Sequence, residues 1–237
     1  MPGFPRKFPV RDDFRKPMRY RVVCGLLHLG FAALFAGGRL RIEGEENVPE
    51  RGPLVIVANH LSDIDPLLFG AYGPGTLFAM GKREIFALFP FAPWVLAGCN
   101  SFPVDRARAD RWAFTTAVDV LRRGGRLLVF LEGTRAPKPG MQPAQLGVGH
   151  MLRSTGAPVI PCAIWGSEQV LGRHMKRPHR ARVTMRYGKV STGMAATSTD
   201  AQMLADRCAV EIAALLPEHY RGMYADAVRL RESAPSP

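Results

Sequence analysis

The sequence predicts one α/β domain, a largely parallel or mixed sheet flanked by helices, with a helical element ahead of it. Three observations predict it. A continuous apolar run at 54–58 has the length and composition of a strand covered on both faces, and further strands are expected at 126–131 and 158–165. Helix-forming segments alternate with them, and crossover helices are the usual way to join parallel strands. With 237 residues, 47% of them hydrophobic, the chain can bury one substantial core and has little room for a second.

Taken in order, residues 1–17 carry Pro2, Pro5, Pro9 and Pro17 among mixed charges and read as an extended arm. The apolar stretch 22–36 follows, interrupted by His28. It is shorter than the roughly 20 residues needed to cross a bilayer core, and the basic arm before it is long for a signal peptide, so no cleavage is expected. Arg15, Lys16, Arg19 and Arg21 precede Leu26, Leu27, Leu29, Phe31, Leu34 and Phe35. That order suits a helix lying in a membrane interface; a buried core helix fits the segment equally well.

A short strand is expected at 39–43. Pro53 introduces the strand 54–58, with Asn59 and His60 at its end. Pro66 suits the first position of a helix over 66–72, and Asp65 suits its N-cap. Gly73-Pro74-Gly75 then marks a turn before a strand at 76–80. A helix over 109–123 leads through Gly124-Gly125 into 126–131, and a helix over 143–154 precedes 158–165. Thr199 and Gln202 form a capping box for a last helix reaching about residue 216. The chain thus divides into a basic arm and helical segment (1–38), a catalytic-size domain (39–220) and a C-terminal tail (221–237).

The formal charge of +12 points to anionic partners, whether nucleic acid, anionic lipid or phosphate-bearing substrates. No helix-turn-helix or RNA-binding signature is present, which argues against nucleic acid. Arg173, Lys176, Arg177, Arg180, Arg182, Arg186 and Lys189 form one basic concentration, without an acidic residue between Glu168 and Asp200. It reads by default as a solvated loop, and functionally as a contact for anionic headgroups or an acidic carrier. Cys24, Cys99, Cys162 and Cys208 lie far apart, with neither zinc-site nor compact disulfide spacing, which fits a reducing, cytoplasmic setting. No metal or redox cofactor is indicated.

The most informative segment is Asn59-His60-Leu61-Ser62-Asp63-Ile64-Asp65-Pro66, where polar residues appear abruptly after a hydrophobic strand, the place where α/β proteins put their sites. A neutral imidazole at His60 can take a proton from an attacking hydroxyl. A carboxylate at Asp65, bonded to the other ring nitrogen, would fix the tautomer and stabilise the imidazolium. A capping aspartate beside an ordinary loop histidine is the plain alternative for this pair alone. Three further segments accompany it: Gly98 to Arg106, ending in Asp105-Arg106; Phe130-Leu131-Glu132-Gly133-Thr134-Arg135; and Ala157-Pro158-Val159-Ile160-Pro161.

In order and spacing these four segments resemble the motifs of the glycerolipid acyltransferases, over roughly residues 59–161. The resemblance implies His60 as general base and Asp65 as its orienting partner. It places Arg106 and the segment Glu132, Gly133, Thr134 and Arg135 around the acceptor phosphate, with Lys82 as a weaker candidate. Guanidinium groups suit phosphate oxygens, and a glycine lets backbone approach a ligand; salt bridges are the competing roles for Arg106 and Arg135, and orienting the loop, positioning Arg135 or capping a turn are those for Glu132. The resemblance further implies acyl-CoA or acyl-carrier protein as co-substrate, a lysophospholipid acceptor such as lysophosphatidic acid, and attachment to the cytoplasmic face of an anionic membrane through the N-terminal helix. Pro103 and Ala136, where a serine often follows the arginine, depart from the commoner pattern and bear on acceptor selectivity. Phe89, Phe91, Trp94 and Leu96 are candidates for an acyl groove or for core. Another lysophospholipid, glycerol-3-phosphate or a glycolipid remains open as acceptor, as does a non-catalytic basic membrane-binding module.

Overall fold

The computed structural model describes residues 18–87, 90, 92–105, 110–137 and 139–233. The proline-rich arm, Phe89, Phe91 and Arg106 lie outside the described residues. Seven strands, β1 (Leu40–Glu43), β2 (Leu54–Ala58), β3 (Leu77–Lys82), β4 (Ser101–Val104), β5 (Arg126–Phe130), β6 (Val159–Trp165) and β7 (Val183–Tyr187), form one sheet in the order β1-β7-β6-β2-β5-β3-β4. Neighbours are parallel except β6 and β7, which run antiparallel. The sheet is therefore mixed: five parallel strands and a reversed pair at one edge.

The alternation of side chains along β2 sorts the core into two layers. Val55 and Val57 face one layer, shared with Leu127 and Val129 and covered by α4 (Arg111–Arg122), α5 (Gly147–Thr155) and α7 (Ala201–Leu215). Leu54, Ile56 and Ala58 face the other, with Phe31 and Phe35 of the α1 (Met18–Leu34) region and Leu68 and Phe69 of α2 (Asp65–Tyr72). Both layers bury β2 completely, which is why its sequence is apolar without alternation. Leu68 and Phe69 are fully buried, each contributing about 1.5–3 kcal/mol, and they fix the helix that begins at Asp65.

Four expectations need correction. The cap of α7 is Asp200, whose Oδ1 accepts from the backbone N–H groups of Gln202 and Met203 at 2.7 and 3.4 Å; Thr199 is not the cap. The Gln202 side chain instead donates to the Ala144 carbonyl at 3.1 Å. The helix expected from residue 143 begins at Gly147, and the Gln145 N–H ahead of it donates to the Leu131 carbonyl at 2.8 Å, past the end of β5. The basic stretch is not all loop: Val183, Met185 and Tyr187 alternate inward as β7. There Arg186 pairs with Glu43 and holds its carboxyl below the ordinary range.

The fourth correction concerns the C-terminal tail. Residues 225–233 form α8 (Ala225–Ser233), and Tyr224 and Val228 are buried in the first layer. Tyr224 Oη accepts from Ala144 N–H and donates to Asp206 Oδ1, both at 2.9 Å. Residues 221–233 are thus part of the domain.

Candidate active site

The C-terminal edge of the parallel strands carries the site. Asn59, the residue after β2, exchanges two hydrogen bonds with Ile164 of β6: its Nδ2 donates to the carbonyl at 2.7 Å and its Oδ1 accepts from the N–H at 2.8 Å. This side chain imitates one more rung of the ladder and pins the strand end where the chain must turn. His60 follows, 6% exposed. Its ring lies against Phe130 at the end of β5, with centroids 4.2 Å apart and planes 23° from parallel.

Asp65 makes the pair expected of it by a different route. It is the first residue of α2 rather than the N-cap, and it is fully buried. Its Oδ2 turns back toward the preceding loop and accepts from His60 Nδ1 at 2.9 Å and from the Leu61 and Ser62 N–H groups at 2.8 Å each. One carboxylate oxygen thus closes the 60–65 turn and orients the imidazole. The carboxylate acceptor requires the proton on Nδ1. Nε2 has no hydrogen-bond partner among the described residues, which leaves its lone pair for an incoming hydroxyl. Ser62 anchors the turn from the other side, its hydroxyl donating to the Leu171 carbonyl at 2.6 Å; Leu171 ends α6 (Ser167–Leu171).

The 132–136 segment clasps the same turn because β5 is the parallel neighbour of β2. Glu132 Oε1 accepts from the His60 N–H at 3.3 Å, and the Ala136 N–H donates to the His60 carbonyl at 2.9 Å. Glu132 is 3% exposed. Burial raises its carboxyl to about 7, with the nearby Asp65 charge adding to the rise and hydrogen bonds from the His60 and Gln142 backbone opposing it. Glu132 thus lies beneath the turn and supports the His60 backbone. Its Oε2 and Asp65 Oδ1 are buried without hydrogen-bond partners among the described residues.

The remaining candidates sit nearer solvent. Gly133 has φ +65°, in the left-handed region that favours glycine, and its N–H donates to the Phe130 carbonyl at 3.1 Å. Thr134 is exposed. Arg135 donates through Nη1 to Asp63 Oδ2 at 2.7 Å, and that carboxylate is 61% exposed, so Arg135 stands at the rim of the His60 turn. Lys82 ends β3 on the same edge, half exposed, with Glu84 at 3.5 Å. Next to the Arg106 position, Asp110 Oδ2 accepts from Asp105 N–H at 2.9 Å, while its Oδ1 caps α4 through Ala113 N–H at 3.0 Å. Pro103 lies in β4, an edge strand, where a missing N–H is tolerated.

Asn59, Phe130 and Ser62 are supporting residues that the sequence reading did not assign. Asn59 alone had a signal, an amide directly after a fully apolar strand. The partners of the other two depend on strand order and on where α6 lies.

A sequence model described as Acyltransferase matches residues 39–165, a span that includes His60, Asp65 and the 132–136 segment. The chain is 33% identical over 132 residues to the 1-acyl-sn-glycerol-3-phosphate acyltransferase of Pseudomonas aeruginosa, covering 54% of this chain and 50% of that protein. It is 29% identical over 170 residues to a probable enzyme of the same name from Mycoplasma pneumoniae, covering 70% and 60%. The chain spans about half the length of the curated relatives it matches. The crystal structure of a 1-acyl-sn-glycerophosphate acyltransferase from Thermotoga maritima has the same fold, with a TM-score of 0.68 and 21% identity over 92% of this chain and 81% of that one. With more than half of its length matched, and the imidazole and carboxylate paired within that span, the chain belongs to the acyltransferase family.

Proposed function

We propose that this protein transfers a fatty acyl group from acyl-CoA or acyl-carrier protein to the free hydroxyl of lysophosphatidic acid, forming phosphatidic acid for phospholipid synthesis. The observation that carries this reading is the His60–Asp65 pair at 2.9 Å, held at a strand end with Nε2 left for the acceptor. The acceptor hydroxyl gives its proton to Nε2 as its oxygen attacks the thioester carbonyl carbon. The tetrahedral intermediate then collapses, the C–S bond breaks, and the leaving thiolate takes the proton from the imidazolium. No acyl-enzyme forms. Asp65, bonded to Nδ1, favours the imidazolium by its charge.

Arg135 is the phosphate ligand this reading assigns, with Arg106 and Lys82 as further cations of that role and Gly133 and Thr134 on the loop beside it. The Arg135–Asp63 pair is open to solvent, and such pairs contribute about 0–1 kcal/mol, so a phosphate dianion can displace Asp63 at small cost. Access to a lipid acceptor comes from α1, which exposes Met18, Val22, Leu26 and Leu29. No helix among the described residues is long and apolar enough to cross a membrane, and the reading is attachment to an anionic membrane surface at the cytoplasmic face. Nucleic acid is not a partner in this scheme.

The test uses purified protein with palmitoyl-CoA, comparing lysophosphatidic acid with monoacylglycerol, which has the hydroxyl but no phosphate. Equimolar thiol and phosphatidic acid with the first, and a much higher KM with the second, are expected. Neither thiol nor lipid product from any thioester donor, acyl-carrier protein included, refutes the reading.

A further inference from the structure

Two surface features away from the His60 turn meet along α1. The first is a stripe. Met18, Val22, Leu26 and Leu29 are exposed, the last two at 66% and 69%, and steps of four, four and three residues place them on one side of the helix. Tyr20, Val23, Cys24 and Phe31 occupy the buried side. The second is a trough of about 420 Å³ between the stripe and the core, lined by Leu27, Gly30, Phe31 and Leu34 of α1 and closed on its far side by Pro178 and Arg180.

Arg180 belongs to the 173–182 loop. Arg173, Lys176, Arg177, Arg180 and Arg182 are all exposed there, and among the described residues none of them is in an ion pair. No acidic residue occurs between Glu168 and Asp200 either. A cluster of cations beside an open apolar trough is complementary to an amphiphile with an anionic head and an alkyl tail. A polynucleotide or an acidic protein would use the cations and leave the trough empty. We propose that the 173–182 loop and the α1 trough together bind an anionic membrane phospholipid, its phosphate at Arg177 and Arg180 and one acyl chain along Leu34, Phe31 and Leu27. This site rests on the membrane attachment proposed above and adds to it the class of lipid and the residues that hold it.

The site is joined to the catalytic turn. His179 N–H donates to the Val170 carbonyl at 2.8 Å, closing the loop on the end of α6, and the next carbonyl, that of Leu171, accepts from Ser62 Oγ at 2.6 Å. The loop that takes the lipid therefore shares its root with the turn that carries His60 and Asp65. A bound lipid fixes how that turn stands against the bilayer from which an amphiphilic acceptor must come.

The experiment is co-sedimentation of the full chain with vesicles of phosphatidylcholine alone, or of phosphatidylcholine with phosphatidylglycerol. The proteins are wild type, His60→Ala, a fourfold Arg173→Gln, Lys176→Gln, Arg177→Gln, Arg180→Gln variant, and Gly30→Glu. A Cβ added at Gly30 meets nothing within 4 Å, so Gly30→Glu introduces a carboxylate at the trough lining, and a thermal melt checks that both variants are folded. Wild type and His60→Ala are expected to prefer the anionic vesicles equally. A cation near an anionic surface is worth about fivefold in binding, so the fourfold variant should bind them roughly tenfold to several-hundredfold more weakly, and Gly30→Glu should also lose the preference. Wild-type affinity for anionic vesicles in the fourfold variant overturns the site. Equal binding of wild type to both vesicles overturns the site and the anionic preference while sparing membrane attachment itself; binding to neither overturns attachment as well.

Discussion

Replacing Glu132 with glutamine isolates the energetic consequence of a carboxyl buried under the catalytic turn. Burial raises that carboxyl from its ordinary 4.5 to about 7. A group whose pKa is higher folded than unfolded binds more protons in the folded state between those two values, so folding stability falls as pH rises through that window and levels off above it. At about 1.4 kcal/mol per pH unit, the loss from pH 4.5 to above 7 is roughly 3 kcal/mol at most. Glutamine keeps an oxygen to accept the His60 N–H and never ionises. Urea unfolding of both proteins at pH 4.5 and pH 8 reads the difference directly. The variant should gain up to about 3 kcal/mol relative to wild type at pH 8 compared with pH 4.5. The same difference between the two proteins at both pH values would refute the reasoning, because it would mean that Glu132 titrates alike in the folded and unfolded chains.

Three other outcomes follow from the same contacts. Asp65→Asn keeps the volume but removes the charge and the tautomer lock on Nδ1, and steady-state assay should show kcat lower by about 10⁴-fold, the loss seen for an orienting carboxylate in a serine-protease triad; an unchanged kcat would separate Asp65 from the chemistry. Arg135→Ala should raise KM for lysophosphatidic acid far more than it lowers activity with monoacylglycerol, while Arg135→Lys, lacking the planar fork, should recover only part of the loss. Tyr224→Phe strands the buried Ala144 N–H and leaves Asp206 Oδ1 with Gln202 Nε2 as its remaining donor, and should cost about 1–3 kcal/mol in chemical denaturation; no change in the midpoint would mean that α8 is docked by packing alone.

Much of the fold was legible because its strands are long apolar runs. β2, β5 and β6 lie between two helical layers, so their sequences carry an uninterrupted signal. β7 does not. It packs Val183, Met185 and Tyr187 inward and presents Thr184 and Arg186 on its other side, inside a stretch whose charge reads as loop. The C-terminal helix was missed for a related reason: Val228 is its sole buried residue, and one buried position in nine leaves no apolar stripe at helical spacing. The His60–Asp65 pair was readable from spacing, yet the direction of the Asp65 side chain was not, since a helix-opening aspartate suits a cap equally well. Glu132 illustrates a different limit. Whether it meets a ligand or the His60 backbone depends on β5 being the neighbour of β2, and strand order is a property of the whole sheet rather than of the residues around Glu132.

The central claim, that His60 removes the acceptor proton in an acyl transfer, is tested most directly by His60→Ala in the palmitoyl-CoA and lysophosphatidic acid assay, at a pH where wild type and variant are equally folded. Loss of a general base costs about 10²–10⁴-fold, so thiol release and phosphatidic acid should fall together by at least a hundredfold, with folding and vesicle binding retained. A variant that forms phosphatidic acid at the wild-type rate would contradict the account.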